Sequence, residues 1–184
     1  MLVGGDFAVL FVILFRGLVP FVILRFPLLG GFLAIFADTI DIMIFESLGY
    51  GFLEGISYSY IDKPFDMWYL FFEFLVVLRW KDVLAKNVGK FLFAWRALGF
   101  VAFLILGVRE VFVFAPNVFE FFFLAMLIIW KFKPKFKLKK KSLIIILLIV
   151  GIPNIIKEYV MHTLTDPGQV WYFFRDNLFP WLYN

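Results

Sequence analysis

Cysteine is missing from this chain altogether, and histidine occurs once, at His162. The first absence excludes disulfides, thiol nucleophiles and cysteine-ligated zinc or iron–sulfur centres; the second excludes a metal centre built from several histidines. Serine is confined to Ser47, Ser57, Ser59 and Ser142, none of them in a Gly-x-Ser-x-Gly elbow. No glycine loop has the spacing of a phosphate cradle. Charged residues are scarce, at 17%. The stretch before the first apolar run, Met1–Asp6, carries an acid and no base, so a cleaved signal peptide is not expected.

What fills the chain instead is apolar and aromatic. Of 184 residues, 64% are hydrophobic and 22% aromatic, with 28 Phe, and the mean hydropathy is +0.95. A soluble domain is about half apolar, so this excess places the chain in the membrane class. About six spans of roughly 20 residues fit in it, leaving short loops and no room for a separate soluble domain. The expected architecture is all-α: a polytopic integral membrane bundle of about six transmembrane helices forming one domain over residues 1–184.

The segments predicted to span are 7–24, 28–45, 64–78, 91–108, 111–130 and 142–161. The first is interrupted by Arg16-Gly17 and Pro20, which suits a broken helix or an interfacial segment. Between the second and third lies a loop rich in Gly and Tyr (Gly49, Tyr50, Gly51, Gly55, Tyr58, Tyr60), expected at headgroup level. The tail, 163–184, is aromatic but too polar to span, and is expected in the interface.

Basic residues set the expected orientation. Arg25, the group Arg79, Lys81, Lys86 and Lys90, and the seven lysines of 131–141 fall on one side if six spans alternate. That side is expected to be cytoplasmic, with the C-terminus outside and the protein in the cell membrane. A lysine run between two apolar spans is a topology signal that meets anionic headgroups, and nucleic acid is not an expected partner.

The informative residues are the acids. An ionised group in hydrocarbon costs about 3 kcal/mol or more, so each needs a partner, water or a role. Asp38 and Asp41 share a helix face at i, i+3, and Asp62 and Asp66 share one at i, i+4. Both pairs lie on the same expected side, joined by one loop. If they converge, their repulsion requires a divalent cation, a lysine or an arginine. Oxygen-only ligation suits Mg²⁺, Mn²⁺ or Ca²⁺, with Mg²⁺ or Mn²⁺ the expected cofactor; otherwise Asp62 caps a helix beside Lys63 and Asp66 faces headgroups. Counting residues from the span ends puts Glu73 level with Arg96, and Arg16 level with Glu120, so each couple is expected to form an ion pair. Asn154, Glu158 and His162, at i, i+4, i+8, make one polar face. Glu158 and His162 are candidates there for a general base, or for a solvated helix end.

The order Asp38-x-x-Asp41, loop, Asp62-x-x-x-Asp66 resembles the CDP-alcohol phosphatidyltransferases, whose aspartates hold two divalent metals. Ile42, Met43, Ile44 and Phe45 stand where that family has Gly and Ala-Arg, and Tyr58 stands where it has Gly. The expected sidedness is also opposite, and membership is not inferred.

Two functions compete on these grounds. One is a divalent-metal enzyme acting at the interface on a lipid or lipid-linked substrate, with Asp38, Asp41, Asp62 and Asp66 on the metal and Glu158 or His162 as base. The other is a proton- or cation-coupled transporter or channel component, with Glu73 and Glu120 marking the route; a structural accessory subunit is a third possibility. A carrier needs mid-membrane acids that are not locked in ion pairs, whereas an enzyme needs a polar cavity in one leaflet only.

Overall fold

A computed structural model describes the backbone of residues 3–47 and 56–160 and the side chains of 10–39 and 59–160. Among these residues the secondary structure is entirely helical: α1 (Val3–Leu18), α2 (Pro20–Arg25), α3 (Pro27–Ser47), α4 (Ile56–Val77), α5 (Val83–Leu106), α6 (Val111–Phe114), α7 (Val118–Phe132) and α8 (Lys140–Tyr159). Three stretches are long and apolar enough to cross a membrane by length and composition: Val83–Leu106, Val111–Phe132 and Lys140–Tyr159.

The breaks have local causes. Pro20 opens α2 at its first position, where a missing N–H costs nothing. Phe26 leaves helical geometry, and Pro27 then starts α3. The expected first span is thus two helices. The expected fifth span is interrupted as well, because Pro116 cannot continue the ladder from α6. Helix α5 opens at Asp82, whose carboxylate accepts from the Ala85 N–H at 3.0 Å. It closes at Gly107 in the left-handed conformation, φ +68°, with its N–H on the Phe103 carbonyl. Pro64 lies inside α4, which begins at Ile56, well before the expected start of that span.

The burial pattern is inverted relative to a soluble protein. Large apolar side chains face outward, among them Leu98, Ile105 (76% exposed), Phe91, Ile144, Ile149 (67%) and Ile152. Arg16, Asp62, Asp66, Glu73, Arg96, Asn117, Glu120, Asn154 and Glu158 are buried. Such an apolar exterior is stable against lipid and a liability in water. The core on the other side of these polar groups is aromatic. Phe119, Phe122, Phe123, Leu70, Val77 and Met126 are wholly enclosed, with Trp80 stacked on Phe123 and edge-on to Trp130.

Candidate functional site

The buried polar residues are organised by α4. Asp62, Asp66, Tyr69 and Glu73 follow one another at helical spacing, so they form a stripe along one face of that helix. From Asp62 to Glu73 it rises about 16 Å, roughly half the thickness of a bilayer's hydrocarbon core.

At its upper end the stripe meets α1 and α3. The Arg16 guanidinium donates to Asp38 at 2.6 Å, to Asp62 at 2.8 Å and to Asp66 at 2.9 Å. Lys63 donates to the second oxygens of Asp62 (2.7 Å) and Asp66 (2.9 Å). Among the described residues, two cations therefore hold three carboxylates. Arg16 is seated by its surroundings: it lies over the Phe65 ring at 5.3 Å, and the Trp68 indole donates to the Gly17 carbonyl at 3.0 Å. Asp38, Asp62 and Asp66 offer oxygens within 4.8 Å of one another, a spacing that could hold a metal ion.

Of the four aspartates expected to converge, three do. The side chain of Asp41, on α3, lies outside the described ones. The balancing cations come from two of the alternatives open in the sequence, an arginine and a lysine, and Arg16 contacts each of the three carboxylates a metal would need.

Further along the stripe, Glu120 on α7 accepts from Tyr69 (3.2 Å) and from Asn117 (2.7 Å), both at Oε2. Its Oε1 has no hydrogen-bond partner among the described residues. A small void of about 10 Å³ lies between Arg16 and Tyr69, bounded also by Pro20, Ala34 and Ala37. That is close to the least volume that admits one water. Glu73 ends the stripe. It is 0% exposed, and neither carboxylate oxygen meets a donor among the described residues. Its Oε1 lies against Gly31 of α3, where an added Cβ would come within 3.3 Å of it and 2.8 Å of Leu124. The absence of a side chain at Gly31 lets α3 close over this acid.

Neither ion pair expected from residue counting forms. Arg96 donates to the Ala115 carbonyl at 2.7 Å, lies 4.5 Å over the Phe112 ring and stands 3.8 Å from Glu158 Oε1. The reason is depth. Because α5 starts at Val83, Arg96 lies about 20 Å along it, whereas Glu73 is only about 6 Å from the end of α4. The two helices are joined by a short turn, so their side chains cannot be level. Arg16 is drawn to the three aspartates instead of to Glu120, at the break that ends α1.

Asn154 and Glu158 are both buried, so the polar face expected on α8 does turn inward as far as it is described. Glu158 is held near Arg96. His162 lies outside the described residues. Tyr69 and Asn117 did not emerge from the sequence as site residues. Tyr69 had a usable signal, its place between Asp66 and Glu73 on the stripe; Asn117 had none.

Comparison with known families, with curated proteins and with solved structures finds no match.

Proposed function

We propose that this chain is a multi-pass membrane protein that carries protons between the two faces of the bilayer, with Glu73 and Glu120 as the carriers. The observation that carries the reading is Glu73: a carboxyl wholly shielded from water, with neither an ion-pair nor a hydrogen-bond partner among the described residues. An unpaired charge is costly there, so Glu73 can carry one only transiently, as a proton carrier requires.

The arrangement around it supports the same reading. The aspartate cluster supplies polar groups at one end, and the water-sized void adjoins Tyr69. Tyr69 donates to Glu120, and Glu73 lies one helical turn beyond Tyr69 on α4. Past Glu73, Val76 and Val77 of α4 and the following Trp80 are buried in the apolar and aromatic core toward the basic end. The lysine-bearing end is assigned to the cytoplasm, because short basic loops are retained on that side.

The test is proton flux into proteoliposomes containing a pH-sensitive dye, driven by a potassium diffusion potential. Wild-type protein is expected to acidify the lumen faster than protein-free vesicles, and Glu73→Gln to remove most of that excess. The reading fails if wild type matches empty vesicles, or if Glu73→Gln conducts as wild type does.

One observation favours a second reading. The converging oxygens of Asp38, Asp62 and Asp66 suit a Mg²⁺ or Mn²⁺ ion serving an enzyme on a lipid or lipid-linked substrate. It ranks lower on two grounds. Arg16 and Lys63 already pair with those carboxylates, and Glu158, the candidate base, stands beside a cation.

A further inference from the structure

The opposite end of the bundle holds a feature that the proton path does not use. A cavity of about 960 Å³ opens where the α4–α5 turn meets the lysine loop. Its walls include Arg79, Trp80, Lys81, Trp130, Lys135 and Lys137. None of these four cations forms an ion pair among the described residues.

Asp82 is the one acid in the wall, and it is committed on both oxygens. Oδ1 accepts from the Ala85 N–H, and Oδ2 from the Leu138 N–H at 2.6 Å. The second bond ties the lysine loop to the start of α5. A further tie runs from the Trp130 indole to the Phe136 carbonyl at 3.1 Å. The walls are therefore fixed before anything binds, which lowers the cost of binding. Trp80, 8% exposed and lining the cavity, has an indole N–H with no acceptor among the described residues.

We propose that this cavity binds an anionic phosphate group, in the first place the headgroup of an acidic phospholipid. Four cations against one occupied carboxylate supply the field for a phosphate. The tryptophan faces and the neighbouring Val83 and Leu84 suit the glycerol and upper acyl segments. The site lies at the ends of α4 and α7, and α7 closes one of the stretches long and apolar enough to cross a membrane. It is separate from Glu73 and Glu120, and its test does not depend on proton flux.

The experiment counts bound lipid by native mass spectrometry on the purified full chain, titrated with phosphatidylglycerol or phosphatidylcholine. The expected result is preferential retention of phosphatidylglycerol. Lys135→Gln with Lys137→Gln should weaken that retention about tenfold or more. Lys140→Gln with Lys141→Gln, which removes equal charge outside the cavity walls, should leave it nearly unchanged. Added inorganic phosphate separates the sources: no competition assigns the site to lipid, and full competition at millimolar concentration assigns it to a soluble phosphate. The proposal is overturned if both lipids are retained equally, or if the two double substitutions weaken binding alike.

Discussion

The two ends of this molecule handle charge in opposite ways. From Asp62 to Val77, α4 rises about 22 Å between them. At the first end three carboxylates, an arginine and a lysine are gathered within hydrogen-bonding distance, and Arg16, Asp62 and Asp66 are nearly out of contact with solvent. At the second, Arg79, Lys81 and the lysines of 131–141 are exposed, and none is in an ion pair among the described residues. Burial explains the contrast. A charge removed from water must be paid for by close partners, so the acidic end is interlocked. A charge left at the headgroup level needs none, so the basic end remains available to bind.

Breaking the acidic end should produce the largest effect. Arg16→Met removes the group that bridges Asp38, Asp62 and Asp66, leaving the Lys63 contacts to Asp62 and Asp66. A loss of about 3–5 kcal/mol is expected, read as reversible unfolding in mixed micelles. Adding Asp66→Asn to that variant should restore part of the loss, since one uncompensated charge disappears. Equal stability of Arg16→Met and wild type would mean that the buried network does not hold α1, α3 and α4 together.

A middle-sized effect is expected where the basic end is tied down. Asp82→Ala removes the cap of α5 and the acceptor for the Leu138 N–H together. About 2 kcal/mol is expected from the lost cap and the orphaned donor. Limited proteolysis should then cut within 131–141 faster than in wild type. If cleavage there is unchanged, the loop is positioned by something other than Asp82.

Much of this was legible in the sequence, and the parts that were not share a cause. Composition alone points to a membrane protein, and long apolar runs favour helices, one of the two arrangements that satisfy the backbone in lipid. The all-helical secondary structure of the described residues and the three stretches long enough to cross a membrane agree with it. The convergence of Asp38 with Asp62 and Asp66 follows from helical spacing and a single connecting loop. The ion pairs do not, because pairing by depth depends on where each helix starts. Helix α5 begins at Val83, ahead of its apolar run, and the first span breaks at Pro20. Those two shifts suffice to move Arg96 away from Glu73 and Arg16 toward the aspartates. Once its expected partner is gone, Glu73 changes from a structural half-pair into a buried acid with no hydrogen-bond or ion-pair partner among the described residues.

Salt should give the smallest effect and the sharpest comparison. Exposed lysines at 131–141 repel one another, and added electrolyte screens that repulsion, whereas the Arg16 contacts to Asp62 and Asp66 are buried and far less screened. Raising the ionic strength in detergent is therefore expected to stabilise the protein by about 0.5 kcal/mol or less. The whole of that gain should come from the basic end. Lys135→Gln with Lys137→Gln should diminish it, while Arg16→Met, although far less stable, should respond to salt as wild type does. A response that instead vanishes in Arg16→Met would place the salt-sensitive charges at the aspartate cluster, and the two ends would no longer differ in the way their burial implies.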